Sequence, residues 1–281
     1  MNDKQIRGPV NLIVALSCEA RPLIQRFKLK QNKNIAGLRL YSNGDGVNLM
    51  VSGVGKLATA TACGYLAGSQ GAGQRESRSS EAGWLNIGIA GHRTLQVGEG
   101  ALVHKVTDRS SGRVRYPPMV LKVQCPTTSV ITVEHPETEY GEDSAYDMEA
   151  SVFTDTAGRF ATSELIQIFK VISDNPRHSV EAVTEQRISQ WIEGQLDCIE
   201  NIVSQMLDFV AEYNGIYAVP ADYFELARLV RLTASQRTQL QSVCRRYYAL
   251  GGESLIDQLD GKQPRSAKEM LVRLESLTDT L

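Results

Sequence analysis

Residues 164–176 read Glu-Leu-Ile-Gln-Ile-Phe-Lys-Val-Ile-Ser-Asp-Asn-Pro. The run from Glu164 to Ile172 is largely apolar, and such a run predicts a buried strand. Asp174 stands two residues beyond Ile172, at the carboxyl end of that strand, where α/β sheets place their chemistry. Two other acids hold comparable positions. Glu19 follows the strand-like Asn11-Leu-Ile-Val-Ala-Leu16, and Glu149 lies in Tyr146-Asp-Met-Glu-Ala150. Three carboxylates far apart in sequence are therefore candidates to meet in one pocket.

Working outward from this stretch, strand and helix signals alternate through the first three quarters of the chain, which points to an α/β sheet. Val10 to Leu16 reads as a strand and Glu19 to Lys28 as a helix. Leu38–Tyr41 and Val47–Val51 read as a hairpin around the turn Asn43-Gly-Asp-Gly46. Ser52-Gly-Val-Gly-Lys56 leads into a small-residue helix, Leu57 to Leu66. It is not a phosphate loop of the Walker type, because Met50 and Leu57 stand where that loop needs Gly and Ser or Thr. Two readings of this turn stay open: a tight strand-to-helix connection, or a turn whose backbone approaches a ligand.

Gly68 to Gly83 reads as a polar, mobile surface loop. Strands are expected at Trp84–Gly91, Ala101–Val106, Val120–Val123 and Ser129–Val133. A helix is expected from Ala145 to Phe160, with Glu149 in its early turns, where a solvated acid suits the helix dipole. A long helix from Glu181 to Glu212 carries Ile188, Ile192, Ile199, Ile202, Val203, Met206 and Val210 at three-and-four spacing, the mark of a helix packed on a sheet. Beyond Tyr213-Asn-Gly215 only helical segments follow, at 220–230, 234–250, 254–259 and 266–277. The expected architecture is a mixed central β-sheet flanked by helices over residues 1–212, with an all-helical C-terminal extension over 213–281.

Composition narrows the function. The chain has 281 residues, 42% hydrophobic and 22% charged, with a formal net charge of −2. That balance excludes a disordered chain and argues against nucleic acid as a partner, which normally asks for a cationic cluster. The arginines of the helical extension, Arg228, Arg231, Arg237, Arg245 and Arg246, read as a solvated face. The apolar run near the N-terminus is too short to span a membrane and no signal-cleavage region follows it, so a cytoplasmic protein without a membrane partner is expected. Five scattered cysteines suit reduced thiols, and the four histidines lack metal-ligand spacing. No metal and no cofactor are expected.

Four stretches, in this order, carry a resemblance: Ile13-Val-Ala-Leu-Ser-Cys-Glu-Ala20; Ser52-Gly-Val-Gly-Lys56 with its alanine-rich helix; Asn86-Ile-Gly-Ile-Ala-Gly91 followed by Leu95-Gln-Val-Gly98; and Met148-Glu-Ala150 together with Ile172-Ser-Asp174. Over about residues 10 to 212 the chain resembles the nucleoside phosphorylase and nucleosidase superfamily, most closely its methylthioadenosine/S-adenosylhomocysteine nucleosidase branch. The resemblance implies that Asp174 is the acid at N7 of a purine, that Glu149 grips the ribose hydroxyls with Met148 against the sugar, and that Glu19 activates the attacking water. It places Ile89, Ala90, Gly91, Ser173 and Lys170 around the substrate. It also implies a homo-oligomer.

These residue types suit the reaction. Cleaving an N-glycosidic bond builds positive charge on the ribose, which carboxylates stabilise, and an acid at N7 improves the purine as a leaving group. Such an acid must be held protonated near neutral pH by burial or by a neighbouring anion.

The chain also departs from the pattern. Asn86 stands where the phosphorylases carry a phosphate-binding arginine, Ile89 where the family has a serine, and Lys170 where the nucleosidases have an arginine. Hydrolysis is the preferred reading. Phosphorolysis would need Arg21, Arg93 or Arg115 to supply the missing cation, and His135 or Tyr140 is a candidate to cover the base. The alternative from another class is a non-catalytic nucleoside-binding or scaffold protein with a degenerate pocket.

Overall fold

The computed structural model describes residues 8–32, 38–71, 81–216, 218–259 and 263–281. It divides into two compact units, one ending at Asn214 and one running from Gly215 to Leu281. The first unit is built on one mixed sheet of ten strands: β1 (Val10–Val14), β2 (Lys30–Gln31), β3 (Arg39–Ser42), β4 (Val47–Val51), β5 (Gly83–His92), β6 (Gly100–Asp108), β7 (Val114–Arg115), β8 (Thr127–Thr132), β9 (Ala145–Asp147) and β10 (Ile166–Asp174). Its helices are α1 (Ser17–Arg26), α2 (Lys56–Gly71), α3 (Ala150–Ala157), α4 (Glu185–Gly194) and α5 (Leu196–Ile216).

β10 is buried at every position, as an apolar strand covered on both faces must be. Side chains alternate across the sheet and so build two cores. Leu12, Leu49, Leu85, Phe169 and Val171 point to one face, under Leu23 of α1, Ile188 and Ile192 of α4 and Ile199, Ile202 and Val203 of α5. Ile13, Met50, Trp84 and Ile168 point to the other, against Ala62 and Leu66 of α2 and Phe153 and Ala157 of α3. Each such side chain contributes roughly 1.5–3 kcal/mol by leaving water.

The register around β5 decides where chemistry can occur. Its first half pairs with β1, in parallel, through Ile13 opposite Asn86. Its second half instead pairs with β9, antiparallel, through Gly91 opposite Tyr146. Along its other edge β5 pairs in parallel with β10, placing Asp174 opposite Gly91. β10, β6, β8, β9 and β5 thus close a ring of pairings. The ends of β1, β5, β9 and β10 meet at one edge of it.

Several expectations are corrected. The helix expected from Ala145 starts only at Ala150, because Asp147 accepts the Ala150 N–H at 2.8 Å and Ala145–Asp147 pairs as β9. Glu149 is therefore no solvated helix-start acid; it is 8% exposed. Val120–Val123 is not a strand, since the Lys122 N–H and C=O are both bound by the side chain of Gln205 in α5, at 2.9 and 3.1 Å. The long helix from Glu181 is interrupted: a short 3-10 turn precedes α4, and α4 and α5 break at Gln195 after Gly194, a weak helix former. Of the loop expected at 68–83, Gly71 still belongs to α2 and Gly83 already to β5. Residues 72–80 lie outside the described residues.

The second unit holds α6 (Ala221–Leu229), α7 (Ala234–Ala249) and α8 (Ala267–Asp279) around Leu226, Leu240, Cys244, Leu255, Met270 and Leu274. Thr233 and Ser266 cap α7 and α8 by accepting the N–H groups of Gln236 and Glu269. The helix expected at 254–259 is only a 3-10 turn at Asp257–Leu259, because the N–H groups of Leu255 and Ile256 both go to Asp222 Oδ2.

Candidate active site

Asp174 ends β10 and is 4% exposed. Its Oδ2 accepts the Tyr140 hydroxyl and its Oδ1 the Ser173 hydroxyl. There is room for this because Gly91, its partner in β5, has no side chain; a Cβ there would overlap Oδ2 and lie 2.8 Å from Tyr140 Cε1.

Glu149 precedes α3 and accepts the Gly55 N–H at 2.6 Å. Gly53 and Gly55 have φ of 91° and 94°, which favour glycine, so the Ser52–Lys56 turn is a strand-to-helix connection whose backbone reaches Glu149. Burial, with Asp147 beside it, pushes Glu149 up to about 7, against the pull of Lys170 and the Gly55 N–H.

Glu19 lies in the first turn of α1. Its Oε2 accepts the N–H groups of Ala15 and Leu16 at 2.9 and 2.8 Å, and its Oε1 the N–H of Ile89 at 3.0 Å. This is the work of a helix-capping acid, yet a carboxylate has about four acceptor sites, so one remains. Burial raises its pKa, and the N–H groups of Ile89 and Leu16, Lys170 and the Ala15 N–H oppose the rise.

Lys170 is the buried cation among these acids. Its Nζ is 2.8 Å from Asp147 Oδ2, with the two side chains 1% and 0% exposed. Burial works against the ammonium, but Asp147, Glu149 and Glu19 together hold its pKa above the ordinary lysine value. Gly88 makes the meeting possible: a Cβ there would lie 3.1 Å from Glu19 Oε1 and 3.7 Å from Lys170 Nζ.

These groups border one cavity of about 130 Å³. Of the residues singled out from sequence, Glu19, Ile89, Ala90, Gly91, Met148, Glu149, Ser173 and Asp174 line it, while Lys170 is in the layer behind. None of the lining residues is lysine or arginine. Arg21 and Arg93 are exposed, Arg93 binding the Gly141 carbonyl, and Arg115 pairs with Asp155 at 3.0 Å. None of the three lines the cavity. His135 is exposed and does not line it either. Among the described residues there is no cluster of three or more potential metal ligands, and no helix is long and apolar enough to cross a membrane.

Sequence reasoning missed Asp147 and Glu137, which both line the cavity. Asp147 was concealed by the helical reading of its stretch; extended backbone at Tyr146 and Asp147 is the signal that finds it. Glu137 is fixed by its neighbours. Its Oε1 accepts the N–H groups of Thr138 and Glu139, its Oε2 meets Arg109 at 2.9 Å, and the Glu139 N–H above all lowers its pKa against burial.

No protein-family model matches the chain, and no curated protein is similar to it in sequence. Solved structures are similar to it. A 5′-methylthioadenosine/S-adenosylhomocysteine nucleosidase from Helicobacter pylori superposes with a TM-score of 0.57 at 10% identity, covering 71% of this chain and 99% of the nucleosidase. Futalosine hydrolase of the same organism gives 0.57 at 11% identity, with 72% and 100% covered. A nucleosidase from Colwellia psychrerythraea, solved in complex with adenine, gives 0.52 at 16% identity, with 72% and 95% covered. These likenesses show that the chain shares the fold of these nucleosidases.

Proposed function

We propose that this chain hydrolyses the N-glycosidic bond of a purine nucleoside or a related nucleoside. The observation that carries the reading is the convergence of Glu19, Glu149 and Asp174, from three separate strand ends, on one cavity whose wall holds no lysine or arginine.

A scaffold has no physical use for buried acids of this kind, because each costs free energy to bury. A reaction that builds oxocarbenium character has. Glu149 faces the sugar and accepts from its hydroxyls, and its charge stabilises the positive ribose. Asp174 delivers a proton to N7 of the base. Glu19 uses its remaining acceptor site to hold a water and takes its proton as the water attacks C1′. Lys170, fixed by Asp147, offsets the charge of the buried acids from behind.

Water is favoured over phosphate by charge. A phosphate dianion would enter a wall bearing Glu19, Glu137, Asp147, Glu149 and Asp174 with no cation lining it. The similar structures are a methylthioadenosine/S-adenosylhomocysteine nucleosidase, a futalosine hydrolase and a nucleosidase holding adenine, which supports a purine-like leaving group. Ile89, at the family's serine, still supplies its N–H to Glu19.

The test is release of free base from adenosine, inosine, methylthioadenosine, S-adenosylhomocysteine and futalosine, with and without phosphate. Release independent of phosphate is expected. Strict dependence on phosphate would overturn the hydrolytic reading, and a nucleoside that raises the melting temperature without being cleaved would favour the binding-protein alternative.

A further inference from the structure

Tyr140 stands beside Asp174 with no part in the reaction as outlined. It is 5% exposed, and its backbone is left-handed at φ 47°, a conformation that a bulky residue keeps only when its surroundings impose it. Tyr146 packs edge-on against it, with ring centroids 6.0 Å apart, and Gly91 leaves space for it by having no Cβ. All of these fix one thing, the phenol hydroxyl on Asp174 Oδ2.

We propose that Tyr140 is a positioning residue that decides which oxygen of Asp174 carries the acid proton, an inference that rests on the nucleosidase reading. Among the described residues, Asp174 Oδ2 is the acceptor within reach of the Tyr140 hydroxyl. A buried O–H left without an acceptor is costly, so the phenol donates to Oδ2 whether or not the carboxyl is protonated. The Ser173 hydroxyl on Oδ1 is different, because serine accepts as readily as it donates. A proton on Asp174 therefore resides on Oδ1. Burial and the Asp174 carboxylate push Tyr140 well above the ordinary tyrosine range, so it keeps its own proton throughout.

In the reaction the proton moves from Oδ1 to N7, and the C1′–N9 electron pair leaves with the base. Water forms the new bond to C1′ and gives its proton to Glu19. As Asp174 becomes an anion, the Tyr140 donor on Oδ2 strengthens and stabilises it.

The experiment compares Tyr140→Phe with wild type on inosine and on 7-methylinosine, whose quaternary N7 needs no proton to leave. With inosine, kcat is expected to fall about tenfold to a hundredfold with KM little changed, and with 7-methylinosine kcat is expected to stay at the wild-type level. Equal slowing on both substrates would make Tyr140 merely structural and overturn the proposal, as would unchanged turnover of inosine. If wild type cleaves neither of these nor any of the nucleosides named above, the nucleosidase reading fails by itself, and tyrosinate absorbance still judges the Tyr140–Asp174 contact. Removing Tyr140 should then leave the alkaline titration of wild type unchanged, but take away one titrating phenol when Asp174 is alanine. A Tyr140 that ionises like an ordinary tyrosine with Asp174 in place would refute the assignment.

Discussion

The two units of this chain bury different things. The α/β unit encloses Glu19, Asp147, Glu149, Lys170 and Asp174, each no more than 8% exposed, at the meeting of four strand ends. In the helical unit, Thr278 is the buried polar residue among those described, and its hydroxyl is satisfied by the Leu274 carbonyl at 2.8 Å. Burying an ion costs several kcal/mol before any partner repays it, whereas an apolar helical core carries no such cost. The strand ends carry a cost that packing does not explain and the proposed chemistry does. Asp174→Asn tests that difference most severely: turnover is expected to fall by about 10²–10⁴-fold with the fold preserved, read as base release beside circular dichroism. Unaltered turnover would put the buried acids of the α/β unit on the same footing as its packing.

Lys170→Met comes next. It leaves Asp147, Glu149 and Glu19 without their buried cation, and breaking a buried pair from one side typically costs about 3–5 kcal/mol, measurable in urea. A smaller loss would mean that water already reaches the cluster. The matching change in the helical unit is Leu240→Ala, at a position 0% exposed in its core. It should cost about 2–5 kcal/mol through the cavity it leaves. No proton is bound or released at that side chain, so the loss should be the same at pH 5 and pH 8, as hydrogen exchange of α6 to α8 would show. A pH-dependent loss would mean that the helical core is not the purely apolar one described.

The same contrast explains what could be read from sequence. β1, β5, β10 and the β3–β4 hairpin are legible because an apolar run and an Asn-Gly-Asp-Gly turn are local signals, and they are enough to place Glu19 and Asp174 at strand ends. The helical unit is legible because its cores follow helical spacing. What failed depends on side chains that satisfy distant or unusual partners. Asp147 caps α3 and so turns an apparent helix start into β9, and Gln205 takes the backbone groups that Lys122 would have given to a strand. The Lys170–Asp147 pair is hidden most deeply. β9 and β10 lie on opposite edges of β5, and the pair bridges them where Gly88, opposite Lys170 in the register, leaves room, a relation that no periodicity records.

The smallest expected effect concerns Glu149 and turns on sign. Burial raises it from 4.5 to about 7, so the folded chain holds that proton more tightly than the unfolded chain does. Its contribution to stability is therefore fully present below about pH 4.5 and is lost as pH rises through about 7, the reverse of an ordinary ion-paired carboxylate. That gap corresponds to at most about 3 kcal/mol. Glutamine imitates the neutral carboxyl at every pH. Glu149→Gln should thus match wild type near pH 4 and exceed it by about 1–3 kcal/mol near pH 8, compared by urea midpoints, while losing the charge that the proposed reaction sets against a ribose. An advantage of equal size at both pH values would mean that Glu149 is not held near 7, and the cost of chemistry would then have to lie elsewhere in the cluster. No single carboxylate-to-amide change among the described residues of the helical unit should raise stability in this way, because none of those carboxylates is buried.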